Sequence, residues 1–258
     1  MKTLIPLLLL AALAVPAAPA AAYDRSELAE YNDLYKEGHY EEALEGYKKV
    51  EAQEPSSPEG YYNAGNALFR LNRPGPAVAS YAKAFILDPR SSDIRTNLDF
   101  ALRQTGQKLA PEGAPMALHY LYYLLSETEI QMMIALLFWL ACLAGAARFL
   151  LDGSGPGLAA GRAAALSALL LLASVAWLGV RQSSPFNSAG VVVKAGGARM
   201  LSGPGENFKT YASAPEGRLV KILDEADDNY YEIGLPREGI KGWALKGEIE
   251  QLTFQKGK

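Results

Sequence analysis

Residues able to do covalent chemistry are few in this chain, and none has the company that catalysis needs. The only histidines are His39 and His119, which leaves a Ser-His-acid or Cys-His arrangement little to draw on. His39 falls in a turn beside Gly38, where a solvated side chain is the simplest reading, and His119 falls among linker residues with no metal-ligating neighbours. The one cysteine, Cys142, lies inside a long apolar run, so it offers neither a disulfide framework nor a thiolate metal site. Ser80-Tyr-Ala-Lys83 has the spacing of a serine–lysine pair, but it sits inside a helix whose packing accounts for both residues. Gly155-Pro-Gly-Leu-Ala-Ala160 imitates a dinucleotide-binding turn; it follows an apolar helix rather than a strand and reads as a loop. HExxH, CxxC and GxxxxGK[ST] patterns are missing from the sequence. The expectation is a protein that is not an enzyme and uses no cofactor or metal. A formal net charge of −3 also lacks the basic footprint of a nucleic-acid binder.

What remains is binding chemistry, and it depends on elements that bring distant residues to one surface. Ala43 and Ala77, Tyr47 and Tyr81, and Pro55 and Pro89 each recur at a spacing of 34 residues. That is the period of the tetratricopeptide repeat, a helix–turn–helix unit that stacks into a solenoid. Small Ala43 and Ala77 allow close helix contact, the tyrosines fill the space beside them, and the prolines end the second helices. Tyr31 stands where the repeat usually has Gly, and Asn72 and Pro74 replace the usual Gly and Tyr. The reading gives repeats over 24–57 and 58–91 and a capping helix over 92–105, a short array whose end needs cover from a partner or a membrane surface. Repeat geometry then gathers Asn32, Tyr35, Lys36, Tyr62, Asn66, Phe69, Arg70, Phe100 and Arg103 on one concave face. Aromatics beside cations suit a peptide segment with an acidic or carboxylate end. The competing reading is that Asn66, within Gly65-Asn-Ala, and some of the rings serve packing alone.

After Arg181 the chain turns β-like. Val191-Val-Val, Leu219-Val-Lys-Ile-Leu and Asn229-Tyr-Tyr-Glu-Ile are short strand candidates, separated by Ser202-Gly-Pro-Gly205, Pro215-Glu-Gly217 and Leu235-Pro-Arg-Glu-Gly239. With Tyr230-Tyr231 and Gly242-Trp243, residues 186–253 resemble the bacterial SH3-like domain, which implies a small five-stranded barrel. Leu201 replaces the Arg usual before the Ser-Gly-Pro-Gly turn. Phe208, Tyr211, Tyr230 and Trp243 are the candidate ligand face for a peptide or glycan, and two of them fit a core equally well.

Between these regions lie two runs without charge, from Ile130 to Ala147 and from Ala163 to Val180. Each is close to the length a helix needs to cross a bilayer. Ser126-Glu-Thr-Glu129 has the spacing of a capping box opening the first. The expected layout is a linker and interfacial segment over 106–128, crossing helices over 129–151 and 162–181, and a turn over 152–161. Two crossings return the chain to its starting side, so the repeats and the β region share one compartment. Residues 1–22, with Lys2, an apolar stretch to Val15 and Ala20-Ala21-Ala22, read as a secretory signal peptide; an uncleaved third anchor is the alternative. Arg148 and Arg162 mark the short turn as cytoplasmic. Both soluble regions then face the outside of a bacterial inner membrane, in the periplasm.

This order of leader, short repeat array, hairpin and SH3-like domain resembles the BatE-type proteins of the bacterial aerotolerance operon. The resemblance implies a membrane-tethered scaffold working beside membrane proteins with von Willebrand factor A domains in envelope stress tolerance. The alternative is a wall protein whose SH3-like domain holds peptidoglycan.

Overall fold

The computed structural model describes residues 25–109, 122–151, 155–182, 189–236 and 238–252. The expected signal peptide, His119 and the middle of the linker lie outside them. Among the described residues five helices come first: α1 (Arg25–Glu37), α2 (Tyr40–Gln53), α3 (Pro58–Arg70), α4 (Pro74–Leu87) and α5 (Ser92–Gln104). Their punctuation follows from residue type. Gly38 holds φ at +90° between α1 and α2, and Asn72 holds +56° at the matching point between α3 and α4. Asn is among the few non-glycine residues that tolerate this region, so the turn keeps its shape without glycine. Pro58 and Pro74 open α3 and α4, where a missing N–H breaks no helical bond.

The Tyr at position 31 is accommodated by a glycine opposite it. A Cβ on Gly46 would lie 2.2 Å from the Tyr31 ring, whereas in the next repeat a Cβ on Gly65 would lie 2.7 Å from the Tyr81 ring. The first repeat keeps Tyr47, the counterpart of Tyr81, and adds the Tyr31 ring 6.3 Å from it; Gly46, where the next repeat has Ser80, leaves the space that the added ring fills.

Two long helices follow, α6 (Glu127–Leu150) and α7 (Gly155–Gln182). Both are long and apolar enough to cross a membrane, and they pack against each other as a hairpin with Leu136, Phe138, Leu169 and Leu172 facing outward. Helix α7 begins at Gly155, so 155–161 are helical rather than part of the expected turn. Pro156 suits a first helical turn, and Leu158-Ala-Ala160 continues the pattern without a break.

The C-terminal region is a seven-stranded antiparallel sheet, not the expected five-stranded barrel. Its strands are β1 (Ala189–Val192), β2 (Ala198–Leu201), β3 (Thr210–Ala214), β4 (Leu219–Asp224), β5 (Tyr230–Leu235), β6 (Ile240–Leu245) and β7 (Ile249–Gln251). The order is β3-β2-β6-β5-β4-β1-β7. The two edges, β3 and β7, do not pair, so the sheet stays open. Apolar-run counting missed β2 and β3 because Ala-Arg-Met-Leu and Thr-Tyr-Ala-Ser-Ala carry little alternation; ladder bonds between them, and from β2 to β6, make them strands.

Helix α4 joins the modules. Ala189, Val191 and Leu252 of the sheet region belong to the same buried cluster as Ala77, Val78, Tyr81 and Phe85 of α4. Glu216 accepts the Gly75 N–H at 3.1 Å, supplying α4 with the acidic N-terminal partner that Arg73 does not provide. Buried Gln107 donates to Gly217 O at 2.8 Å and accepts from Leu219 N at 3.0 Å. Lys83 on α4 pairs with Glu250 on β7. At the other end of α4, Phe85 meets Tyr123 edge-on with centroids 4.8 Å apart, and Arg90 pairs with Glu129 on α6 at 3.1 Å.

A side chain at Gly75 has nowhere to go: a Cβ there would lie 2.7 Å from Val192 O and 2.8 Å from Glu216 Cγ. Gly75→Val is expected to cost about 1–3 kcal/mol by overpacking and to raise hydrogen exchange in β1 and α4. Gly145→Val, where a Cβ meets nothing within 4 Å, should leave both unchanged.

Candidate functional site

The first helices of the repeats, α1, α3 and α5, carry the predicted peptide-groove residues. Asn32 and Asn66 occupy matching positions in a hydrogen-bonded unit that occurs twice. Tyr47 OH donates to Asn32 Oδ1 at 2.8 Å and Asn63 Nδ2 to the same oxygen at 3.2 Å. Thirty-four residues on, Tyr81 OH donates to Asn66 Oδ1 at 2.7 Å and Asn97 Nδ2 at 2.9 Å. Each asparagine therefore ties its own repeat's second helix to the next repeat's first helix. Burial pushes the Tyr47 hydroxyl up to about 12 and raises Tyr81 as well, so both remain protonated donors. Tyr62 accepts from Asn97 Nδ2 at 3.1 Å, with its ring 6.0 Å from that of Tyr81. The carboxamide oxygens of Asn32 and Asn66 are thus committed to packing.

The remaining groove residues include two aromatic pairs in which Tyr35, Tyr40 and Phe69 are partly buried and Phe100 is exposed. Tyr35 and Tyr40 meet edge-on at 5.2 Å, Arg70 Nε donates to Tyr35 OH at 3.4 Å, and the Arg70 guanidinium lies 5.8 Å from the Tyr40 ring centroid. Phe69 and Phe100 meet at 5.5 Å, and Phe100 is 50% exposed. Lys36 and Arg103 sit at the margins, paired with Asp33 and Asp99 of their own helices at 2.7 Å. Such exposed pairs contribute about 0.2–1 kcal/mol, so a ligand carboxylate can displace them. Tyr40 was not among the predicted residues; its place just past Gly38, across the turn from Tyr35, was the available signal.

On the sheet, the four predicted ligand-face residues divide. Phe208 and Tyr211 are about half exposed, at 46% and 48%. A Cβ at Gly203 would lie 2.5 Å from the Phe208 ring, and one at Gly242 would lie 2.6 Å from Tyr211 OH, so both rings lean on bare backbone. Trp243 is partly buried, opposite Glu232 on β5 and Leu201 on β2. Tyr230 is buried, at 7% exposure, and belongs to the interior rather than an accessible face. Lys241 pairs with Glu232 at 2.9 Å beside Trp243.

Residues 32–72, from Asn32 on α1 to the turn after α3, match the family model described as a TPR repeat. No curated protein matches the chain. The matched segment holds all the predicted groove residues except Phe100 and Arg103, and a TPR repeat there supports a role in protein–protein interaction.

The junction between repeats and sheet holds a charged cluster that no sequence motif announced. Lys83 is the ammonium between two carboxylates, paired with Glu250 and facing Glu51 of α2, and it lies 5.7 Å from the Tyr61 ring centroid. Burial, helped by the nearby Glu250 charge and opposed by Lys83 and Lys48, raises the Glu51 carboxyl from an ordinary 4.5 to about 7. Because the folded value is the higher one, the folded state binds the Glu51 proton more tightly. Stability contributed by this group is therefore present below pH 4.5 and is lost as pH rises to about 7, with an upper bound on the order of 3 kcal/mol. Glu51→Gln should flatten the pH dependence of thermal unfolding over that window, leaving the variant more stable relative to the parent at pH 8 than at pH 5. An unchanged pH profile would show that Glu51 does not carry the effect.

Proposed function

We propose that this protein is a membrane-tethered scaffold that recruits protein partners through the face shared by α1, α3 and α5. The observation carrying this reading is the aromatic row of Tyr35, Tyr40, Phe69 and Phe100, the first three partly buried and Phe100 exposed, with the exposed Arg70 among it. The array buries its other side against the sheet, so this face is the one it offers to a ligand. Rings set edge-on beside a guanidinium take an apolar anchor residue followed by an acidic group. Two apolar helices hold the body to a bilayer, with repeats and sheet on the extracytoplasmic side and the hairpin turn in the cytoplasm. The sheet is read as an SH3-like module that takes a second ligand, and the whole as a Bat-type envelope protein whose partners are membrane proteins with von Willebrand factor A domains.

A second reading has its own support. Phe208 and Tyr211 present half-exposed rings, Phe208 against Gly203 and Tyr211 reaching Gly242 between Lys241 and Trp243, a surface suited to stacking on sugar faces or on a peptidoglycan stem peptide. Because Ala189, Val191 and Leu252 are buried with the repeats, this is to be tested on the whole chain rather than on an isolated sheet.

Crosslinking and affinity capture of the full-length protein from native membranes distinguishes the two. The scaffold predicts recovery of a von Willebrand factor A membrane protein. Tyr35→Ala with Phe100→Ala should weaken that recovery about tenfold or more, as loss of central aromatic anchors does. Phe208→Ala with Tyr211→Ala should leave it unchanged. The reverse pattern, together with retention of the full-length protein on peptidoglycan sacculi in high salt, would replace the scaffold by the wall-binding reading.

A further inference from the structure

The start of the first apolar span is tied to the repeat array by contacts that fix its height. The span runs Thr128–Leu150, so Glu129 lies one residue inside it. Glu129 completes a capping box with Ser126, accepting the Ser126 N–H at 2.9 Å through Oε2, and its Oε1 meets Arg90 Nη1 at 3.1 Å. Both carboxylate oxygens are engaged, which holds Arg90 within about one helical turn of the point where the apolar helix begins. The second helix is fixed at the same level. Tyr122 OH donates to Val180 O at 3.2 Å, Arg181 Nη1 donates to Tyr122 O at 2.9 Å, and the Arg181 guanidinium stacks over Tyr123 at 4.7 Å from its centroid. Tyr123 in turn packs on Phe85, near the C-terminal end of α4.

We infer that the loop joining α4 and α5, with Arg90 and Arg95, rests on the phosphate layer of the bilayer, making the repeat array a peripheral lipid-contacting body as well as a tethered one. The inference rests on the reading that α6 and α7 cross a membrane. Arg90 is 53% exposed beyond its contact with Glu129. Arg95 Nη2 donates to Arg90 O at 3.0 Å, which sets the second guanidinium at the same height. The nearby acids are engaged locally: Asp88, partly buried, accepts the Arg90 N–H at 3.2 Å through Oδ1, and the exposed Asp93, in the first turn of α5, accepts the Ser92 hydroxyl at 3.2 Å. Guanidinium groups at headgroup depth match phosphate geometry, and their attraction to anionic lipid adds to the hydrophobic anchor. The other end of α4, at Arg73, is about 20 Å away along the helix.

The test uses the full-length protein in a Cys142→Ser background, with a fluorophore on Ser92→Cys, Arg73→Cys or Leu140→Cys. Each is placed in phosphatidylcholine–phosphatidylglycerol vesicles carrying either headgroup or acyl-chain spin-labelled lipid. The expected result is strong headgroup quenching at position 92, little at 73, and acyl-chain quenching at 140. Arg90→Ala with Arg95→Ala should reduce the quenching at 92 about twofold or more. Position 92 quenched no more than 73, with 140 still quenched by the acyl-chain label, would overturn the inference and leave the crossing intact. Unquenched 140 would overturn the crossing itself and this inference with it. Quenching at 92 that ignores the double substitution would overturn the role assigned to the two arginines.

Discussion

The structure depends on one helix being buried on nearly every side. Helix α4 packs against α3 and α5 within the array, β1 and β7 lie against it, and Phe85 near its C-terminal end reaches the base of the hairpin. Gly75, Ala77, Val78, Ala79, Tyr81, Ala82, Ala84 and Phe85 are all buried. An all-round apolar helix is stable only as an interior element, and here three modules provide the interior. Small residues set the spacing: with Gly75 and four alanines among those eight positions, the backbone of α4 can approach several neighbours at once. The remaining polar needs are met across module boundaries, by Glu216 at the helix N-terminus and by Glu250 for Lys83.

This arrangement answers the problem of a short solenoid. Each repeat buries its apolar face only against a neighbour, and α5 stands alone after two full pairs. The sheet covers the exposed side of α4, and Gln107, just past α5, bonds into the backbone of Gly217 and Leu219. With the array closed in this way, the surface left for recognition is that of the first helices. The doubled Asn–Tyr–Asn unit stiffens this surface, and a rigid aromatic row loses less entropy on binding than a flexible one.

How much of this was legible in the sequence varies by the range of the interaction. The 34-residue recurrence was legible because Ala43/Ala77 and Tyr47/Tyr81 are local signals repeated in one chain. The apolar hairpin was legible from composition. Gly46 against Tyr31 was not, since a missing Cβ gains meaning only once the opposing ring is placed. Gln107 sits in a polar, glycine-punctuated stretch that reads as linker, and its partners lie 110 and 112 residues away. Glu216 is a turn residue by sequence, yet its partner Gly75 is 141 residues distant. In the sheet, Tyr230 and Tyr231 were adjacent rings with no local cue to separate them. The strand β5 buries Tyr230 and leaves Tyr231 partly exposed beneath Lys246, 4.9 Å from its centroid.

The central claim is that repeats and sheet are one cooperative unit built on α4. Hydrogen exchange on the full-length protein, followed by mass spectrometry across a denaturant series, tests it most directly. The account predicts that amides of α4, β1 and β4 exchange through a common opening with one free energy and one denaturant dependence. Sheet amides that open at much lower denaturant while α4 stays protected would contradict it, and would make the sheet a separate domain docked on a self-sufficient array.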